Sequence, residues 1–395
     1  MAGSIGSGCE VVAGLDEDVR LGPAGAGGAS TGTTVPSGGG APTSSSGSSA
    51  GGVGDGGDGA GAGGGGEGGA LDCANVGYPL PPSAEDEGGL IEVILAVRSI
   101  ALDGSGDTPL PGLNLDKTCT CPGPSSCVAS EDADPDLLCD RDDGIDSQSS
   151  RIFGQIALLT NDSFSASELS QDADAGKWSL LMRLQNWTGE PDDRRVRFTL
   201  YPSPGFGSAA PPPSWDGTDA WPIDSASVEA SGQVEDPLYV DEAAYVVGGR
   251  LVASLPSSGI VFAQGGSVLS LRLSGAFLVA TIVEDNGLYG LRDGVIAAVW
   301  PADSVFESLD GFRDGSGDPL CTNDPLFPIA RNQVCEAVDI FNGLATPTSP
   351  CNAISVGIGF SADQAMLGEV ADSLQPSAGC DEQFLPSTCK CGDDC

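Results

Sequence analysis

The sequence predicts a mainly β protein of the α+β class, with an antiparallel β-sandwich-like core, two or three peripheral helices and disulfide-rich segments. Several segments alternate apolar and polar residues with a period of two, which is typical of strands that bury one face. Helical spacing of apolar residues is confined to a few short segments. The 13 cysteines lie mostly in acidic, loop-rich stretches, a pattern typical of domains held together by disulfides.

The first strands follow from the period-two pattern. Residues 90–102 are apolar enough to form one long strand. In residues 178–187 the even positions from Trp178 to Leu184 carry apolar side chains, with Leu181 as the exception among the odd positions between them. Residues 196–201 repeat the alternation after a polar turn, so we expect these two segments to form an antiparallel pair.

Further strands are predicted in the middle of the chain. The alternation recurs over residues 251–255 and 268–273. Residues 276–283 are denser in apolar side chains, as in a central strand that is covered on both faces. Asp293-Gly294 precedes the apolar residues 295–300, which predicts a two-residue hairpin turn at this point.

Helices are fewer. Asp324 is a good N-cap, Pro325 suits the first helical position, and helical spacing then runs from Phe327 to Phe341. The following Asn342-Gly343 is a stop signal. Two shorter helices are predicted over residues 146–160 and 301–309.

The charge balance excludes several classes of function. The chain has 16 Lys+Arg against 56 Asp+Glu, giving a net charge of −40, and it has no histidine. A polyanion is repelled by nucleic acid and by anionic membranes, so neither is expected as a partner. Without histidine there is no Ser-His-Asp triad, no Cys-His pair and no His-ligated metal. Because the acids are spread over the whole chain, we interpret the charge mainly as a solubility trait.

Composition divides the chain into four parts. Residues 1–21 are an N-terminal anchor segment, and residues 22–70 are a Gly/Ser/Ala-rich tether that should be disordered, with a reach of about 40 Å. Residues 71–320 form the β-rich domain, which carries a cysteine-rich insert at 119–139. Residues 321–395 are predicted as a helical, disulfide-rich part that packs on the same domain.

Twelve cysteines of the folded part are predicted to form disulfides. Two C-x-C pairs and the absence of any C-x-x-C fit bridges better than a zinc ribbon. Local pairings are expected for Cys321 with Cys335, within 119–139 and within 380–395. The twelve are Cys73, Cys119, Cys121, Cys127, Cys139, Cys321, Cys335, Cys351, Cys380, Cys389, Cys391 and Cys395.

The thirteenth cysteine, Cys9, stands alone before the tether. Small residues precede it and a Gly/Ser tether follows it, which favours the acylated first residue of a mature bacterial lipoprotein. Residues 1–8 contain neither a positive segment nor an apolar segment of a signal peptide. Either the signal lies upstream of Met1 or the lipoprotein hypothesis fails, and the alternative is an accidental odd cysteine.

One acidic turn is a candidate calcium site. Calcium takes six to eight oxygen ligands, and a glycine-containing turn can direct several carboxylates inward. The segment that begins at Asp140 departs from an EF-hand, because its glycine is at the fifth position and Arg151 stands at the twelfth. It resembles the calcium turns of thrombospondin-type repeats more closely. The alternative is a solvated helix N-terminus with Asp146 as its cap. The candidate ligands are Asp140, Asp142, Asp143 and Asp146.

Other acidic sets are interpreted as turns. Residues 171–174, with two aspartates, and residues 310–318, with three aspartates and three glycines, are both interpreted as turns. A glycosidase needs two carboxylates on either side of the scissile bond, but with 56 acids the sequence nominates no pair. No catalytic residue is therefore proposed from the sequence.

Several features resemble one kind of protein. These are Cys9 with its tether, the Cys139–Asp146 segment before a helix, residues 187–193 between strands, and residues 291–294 leading to a helix. In these features taken together, the chain resembles the uncharacterised cysteine-rich surface lipoproteins of myxobacteria and related predatory bacteria. The resemblance covers most of residues 73–395 and implies surface display, with no activity to carry over.

Two functions from different classes follow. The first is a non-enzymatic secreted or cell-envelope lipoprotein with a structural or ligand-binding role, extracytoplasmic and monomeric, which contacts the membrane only through a lipid on Cys9. Its partner would be a glycan or a surface protein, with calcium as the one candidate cofactor. The alternative is a secreted carbohydrate-active hydrolase that uses two carboxylates. A deep cleft with paired carboxylates would favour the hydrolase, and a shallow face with aromatic side chains would favour binding.

Overall fold

The structure, a computed structural model, describes residues 77–83, 88–103, 110–121, 125–129, 133, 138–140, 144–159, 164–207, 210–264, 267–314, 316–343, 348–374 and 379–392. They belong to one compact unit. The predicted anchor and tether, with Cys9, lie outside the described residues, as do Cys73, Cys395, Asp142 and Asp143.

The described part of the chain forms ten strands and four helices. The strands are β1 (Ile91–Ala101), β2 (Ser179–Trp187), β3 (Asp193–Ser203), β4 (Ala220–Asp224), β5 (Val240–Val247), β6 (Arg250–Gln264), β7 (Ser267–Asp285), β8 (Leu288–Pro301), β9 (Ala353–Gln364) and β10 (Met366–Ala371). The helices are α1 (Ser149–Leu159), α2 (Ala166–Asp174), α3 (Ala302–Leu309) and α4 (Phe327–Glu336). The predicted mainly β class with peripheral helices is confirmed.

Eight of the strands form one closed antiparallel sheet in the order β1-β2-β3-β5-β6-β7-β8-β9. The expected antiparallel pair of β2 and β3 is present. Because β1 also pairs with β9, the first and last strands of the sheet join. The core described above as sandwich-like is therefore a single sheet that curves until its edges meet.

The interior of the closed sheet is filled by side chains. Leu180, Met182 and Leu184 of β2 point into the main hydrophobic cluster, as their alternation predicts. The described side chains leave a void of about 10 Å³ between β1, β2, β6, β8 and β9. The centre of the sheet is thus a packed core.

The outer face of the sheet is partly covered by a second layer. Strands β4 and β10 form a parallel pair outside the closed sheet, and Trp221 of β4 packs in one cluster with Tyr201 and Leu181. Leu181, which breaks the alternation of β2, is apolar because it faces this outer cluster. On another side, Leu113 packs with Val252 of β6 against the outside of the sheet.

The helices agree with the sequence in part. Helices α1 and α3 lie where they are predicted. Helix α4 begins at Phe327 with Leu326 as its N-cap, so the prediction of Asp324 as the cap is wrong, and it ends at Glu336, earlier than expected. Helix α2 was not predicted, and it contains the segment 171–174 that we interpreted as a turn, so that interpretation is wrong. Ser165 supplies the N-cap of α2 by accepting a hydrogen bond from the backbone N–H of Glu168. Among the described residues no helix has the length and apolar character to cross a membrane.

The hairpin predicted at Asp293-Gly294 is wrong. Both residues lie inside β8, where the pairing with β9 shifts register between Leu291 and Gly294. Asp293 has a φ of 50°, so the dipeptide forms a bulge, and the chain continues as a strand. The real turn joins β7 to β8 at Asn286-Gly287, whose φ values of 54° and 82° suit a type I′ hairpin. The residues predicted as two strands at 268–273 and 276–283 form the single strand β7.

Part of the sheet comes from a region with no predicted strand. Strand β9 lies in residues 321–395 and fills the gap between β8 and β1. Gly357 of β9 makes this possible where the chain is crowded, since an added Cβ would lie 2.0 Å from the carbonyl oxygen of Pro111. The C-terminal part of the chain therefore completes the core.

Four disulfides join described cysteines, and Cys119 and Cys389 are disulfide-bonded as well. The bridge between Cys121 and Cys139 confirms a pairing within the insert, whereas the expected pairing of Cys321 with Cys335 is wrong. Several disulfides indicate an oxidising, extracytoplasmic environment. The four bridges are Cys121–Cys139, Cys127–Cys351, Cys321–Cys380 and Cys335–Cys391.

Candidate functional site

Two polar regions of the described chain are candidates for function. The first, which we call the acidic cluster, consists of Asp116, Asp140, Asp146 and Asp339. Residues 110–121, which carry Asp116, lie against the segment that carries Asp140 and Asp146, because Leu113 and Asp146 form an antiparallel bridge. The neighbouring Cys121–Cys139 bridge fixes the same two segments.

Backbone N–H groups donate hydrogen bonds to two carboxylates of the acidic cluster, those of Asp140 and Asp146. Asp146 accepts hydrogen bonds from the N–H of Leu115 at 2.6 Å and of Asp116 at 3.2 Å. Asp140 accepts one from the N–H of Thr120 at 2.8 Å. These bonds close the loop onto itself, which is the ordinary structural use of aspartate in turns.

The carboxyls of the cluster are hard to ionise together. Burial, with the charges of Asp116 and Asp339 next in effect, raises the pKa of Asp146 to about 9. Burial also raises the pKa of Asp140 to about 6, although the bond from Thr120 opposes the shift. Asp140 and Asp146 interact directly, so at neutral pH a proton on Asp146 relieves the repulsion between them.

Asp339 sits at the side of the cluster on the loop after α4. Its carboxylate accepts bonds from the N–H and the hydroxyl of Ser355 at 2.8 and 2.6 Å. Part of its surface is exposed, yet the surrounding protein is dense enough for desolvation to raise the pKa of Asp339 to about 7. The cluster therefore holds protons in the neutral range.

The structure brings together two of the four predicted calcium ligands. Asp140 and Asp146 are in the cluster, while Asp142 and Asp143 lie outside the described residues. Within the described part of the chain no three acidic or cysteine side chains are arranged to hold a metal ion. Calcium binding stays a prediction. The alternative role for Asp146 as a helix cap is wrong, because this residue is 4% exposed and bonds to residues 115–116 instead of α1.

The second region is a groove of about 360 Å³ on the outside of the sheet. Helix α3 forms one wall, β6 and β7 form the floor, and the ends of β4 and β10 form the opposite wall. We call it the Tyr239 groove. Its charged and aromatic lining residues are Asp224, Tyr239, Arg272, Glu307 and Asp310, and Ser304 is one of its serines.

Tyr239 precedes β5 and lies against the backbone of β6. A Cβ added to Gly259 would be 2.6 Å from the tyrosine hydroxyl oxygen, so only glycine permits this approach. Burial raises the pKa of Tyr239, the charge of Asp224 adds to the shift, and Arg272 opposes it. The hydroxyl is thus a protonated donor at neutral pH, within electrostatic reach of both charged neighbours.

The charged residues of the groove are held by α3 and β7. Nη1 of Arg272 is 2.7 Å from Oε2 of Glu307, and both side chains are largely exposed, at 74% and 47%. The Ser308 hydroxyl, 2.6 Å from the carbonyl oxygen of Ser270, ties α3 to β7. The ion pair therefore sits at a fixed spacing between the helix and the strand.

The other two carboxylates of the groove are bound by the backbone. Asp310 accepts a hydrogen bond from the N–H of Cys380 at 2.6 Å. Asp224 is 2% exposed and accepts from the N–H of Ala226 at 2.8 Å and from the hydroxyl of Ser373. The carboxylates of Asp224 and Asp310 therefore stabilise the fold through these hydrogen bonds. Among the charged groups of the groove, the exposed Arg272–Glu307 pair offers the polar atoms that remain accessible.

Sequence reasoning missed the groove. Its residues come from six separate segments, and the acids among them are ordinary members of a large acidic population. A glycine inside a strand often marks a close approach of another group, but Gly259 lies beyond residues 251–255, the part of β6 that the sequence predicted as a strand.

No family model matches the chain, and neither a curated protein nor a solved structure matches it significantly.

Proposed function

We propose that the chain is a non-enzymatic secreted or cell-envelope protein whose closed sheet is a rigid module with a structural or ligand-binding role. The observation that supports this best is the set of disulfides across the fold. Cys127–Cys351 spans 224 residues, and Cys321–Cys380 spans 59. Bridges that close long loops restrict the unfolded chain most, which suits a domain that must persist outside the cytoplasm.

Peptide mapping of the unreduced native protein tests the proposal. We expect the four described bridges as linked peptides after proteolysis under non-reducing conditions, and few free thiols after denaturation. A sample isolated from its natural source with most cysteines reduced would contradict an extracytoplasmic location. Fractionation of the cells provides the matching measurement of where the protein resides.

The same proposal includes a lipid on Cys9, in line with the resemblance to myxobacterial surface lipoproteins. Mass spectrometry of the native N-terminus tests it directly. The expected result is a mature chain that begins at an acylated Cys9. An unmodified Met1, or a chain cut after Cys9, would remove the anchor but leave the disulfide-based part of the proposal standing.

The alternative is a carbohydrate-active hydrolase with two carboxylates, and the groove is one cavity of the fold that several carboxylates line. Asp224 and Asp310 accept bonds from the backbone, and Glu307 pairs with Arg272. A general acid needs a proton to give and access to the leaving group. Release of reducing ends from oligosaccharides by the native protein, lost in Glu307→Gln, would favour the hydrolase over a binding role.

A further inference from the structure

We propose that the Tyr239 groove binds an uncharged sugar, a mono- or disaccharide unit of a neutral glycan. This inference rests on the proposed function, since it gives the ligand-binding role a site and a class of ligand. The carrying observation is one groove outside a filled core that brings together an aromatic ring, an exposed ion pair and a floor that includes Ile260, Val261, Val268 and Leu271.

The size of the groove fits a small ligand. Its volume of about 360 Å³ lies within the range of about 300–1,000 Å³ that ligand sites occupy. The void inside the sheet, between β1, β2, β6, β8 and β9, is about 10 Å³ and is far too small for a sugar. A second cavity, of about 350 Å³ beside Cys321 and Cys380, has no basic side chain among its described lining residues, so the groove between α3 and the sheet is the better match for a ligand with hydroxyl groups.

Tyr239 supplies the aromatic surface that a sugar ring needs. A tyrosine presents an apolar ring and a polar hydroxyl with few rotamers to immobilise. Its ring is half-buried and packs against the core, and Gly259 leaves space for its hydroxyl end on β6. Since packing fixes the ring before any ligand arrives, binding does not have to order it.

The polar atoms around the ring match hydroxyl groups. Glu307 offers acceptors, and Arg272 uses one nitrogen in the ion pair while its guanidinium carries five N–H donors. The hydroxyls of Ser304 and Tyr239 can donate or accept. Adjacent sugar hydroxyls are both donors and acceptors, so a planar carboxylate beside a planar guanidinium suits them.

Charge selects against acidic ligands. Three carboxylates and one guanidinium line the groove, and the whole chain carries a net charge of −40. An anionic ligand would meet repulsion both locally and at long range. A neutral sugar avoids this cost and can still bond to the polar atoms that remain accessible, chiefly those of Arg272 and Glu307.

The test uses saturation-transfer NMR on the oxidised full chain with four separate probes at millimolar concentration. Three are neutral disaccharides: maltose, cellobiose and N,N′-diacetylchitobiose. The fourth is the anionic disaccharide digalacturonate. We expect signals from at least one neutral disaccharide and weaker signals from digalacturonate. No signal from any neutral probe, or a stronger one from digalacturonate, would overturn the proposal.

Variants locate the binding to the groove. Tyr239→Ala should weaken the affinity by about tenfold or more, as expected for truncation of a central aromatic contact. Tyr289→Ala is the matched control, because Tyr289 is also half-buried but packs against Trp187 elsewhere on the sheet. Equal binding by the Tyr239→Ala variant and the parent would contradict the site.

Two further variants keep the test decisive if Tyr239→Ala does not fold. Gly259→Ala pushes the tyrosine hydroxyl away from β6, and Glu307→Gln changes one acceptor at an exposed position. Both should fold, and both should weaken binding severalfold; unchanged affinity in both would overturn the proposal. A thiol count on each sample separates the outcomes, since intact disulfides without sugar binding reject this inference and leave the proposed function.

Discussion

The acidic cluster and the Tyr239 groove are both rich in carboxylates that bond to backbone N–H groups, but the groove also leaves one carboxylate, that of Glu307, exposed. In the cluster, Asp140 and Asp146 bond to nearby backbone N–H groups and have raised pKa values. In the groove, the Arg272–Glu307 pair is exposed beside a half-buried aromatic ring. The comparison teaches that a count of acids does not identify a binding site. What matters is which oxygens the fold has left accessible.

Removing one bridge from each region should give the largest effects. The Cys321–Cys380 bridge positions the backbone N–H of Cys380, which donates a hydrogen bond to Asp310 in the groove. This bridge closes a loop of 59 residues, whereas Cys121–Cys139 closes a loop of 18. We expect the Cys321→Ser/Cys380→Ser variant to lose about 4 kcal/mol of unfolding free energy and the Cys121→Ser/Cys139→Ser variant about 3 kcal/mol.

Denaturant unfolding measures both losses, and the NMR sugar assay shows which region each bridge supports. Only the Cys321→Ser/Cys380→Ser variant should lose sugar binding as well. Loss of binding in the Cys121→Ser/Cys139→Ser variant alone would reverse the assignment of the two bridges.

Glycine substitutions compare how rigid the two regions are. Gly357 of β9 faces the segment that carries the cluster, and an added Cβ would be 2.0 Å from the carbonyl oxygen of Pro111. We expect Gly357→Ala to cost about 1–3 kcal/mol, because backbone cannot move aside easily. Gly259→Ala meets only the end of the Tyr239 side chain, so it should cost less. Thermal unfolding of both variants measures the difference, and equal losses would contradict it.

The pH dependence of stability should come from the cluster. A carboxyl whose folded pKa is raised binds its proton more tightly in the folded state, so its contribution is full below the unfolded pKa of about 3.9 and is lost as pH rises through the folded pKa. For Asp140 and Asp339 the loss occurs as pH rises through about 6 and about 7. We expect the unfolding free energy to fall over this window.

Asp339→Asn tests this origin, because it removes one titrating group while an amide can still bond to Ser355. Its unfolding free energy should decline less steeply with pH, by up to about 1.4 kcal/mol per pH unit. Denaturant titrations at several pH values provide the slopes. Identical slopes in the variant and the parent would show that Asp339 does not hold a proton as proposed.

Calcium should give the smallest effect and decides whether the cluster is structural alone. If the predicted site binds calcium, we expect heat on titration and, at a free calcium concentration near Kd, an increase of about 0.4 kcal/mol in the free energy of unfolding. Asp140→Asn should abolish both. Calorimetry without heat, together with an unchanged melting temperature, would contradict calcium binding and leave the cluster as a device that closes a loop.

Local sequence patterns predicted those strands and helices that residues close together in the sequence determine. The alternation of Leu180, Met182 and Leu184 identified β2 and its buried face, because a strand has a period of two. The two hairpin signals could not be ranked in this way. Asn286-Gly287 and Asp293-Gly294 both favour positive φ, and only the pairing of β8 with β9 decides that the second is a bulge.

The candidate sites show the same limit. Asp140 and Asp146 were found because they are close in sequence, whereas Asp339 joins them through the position of β9. The groove combines Tyr239, Gly259 and Glu307, which no short motif contains. Disulfide partners are equally distant, so Cys335 bonds to Cys391 and not to the nearer Cys321.

Closure of the sheet also governs the order in which the protein can fold. Strand β1 begins at residue 91, but its partner β9 ends at residue 364. Because the chain is synthesised from its N-terminus, strands β2 to β8 can pair with their neighbours in sequence long before β9 is available to pair with β1 and β8. Until β9 arrives, β1 and β8 present two open edges that could recruit other chains. The late strand thus sets the interval during which a nascent molecule is prone to aggregate, and we expect chains truncated before Ala353 to be insoluble.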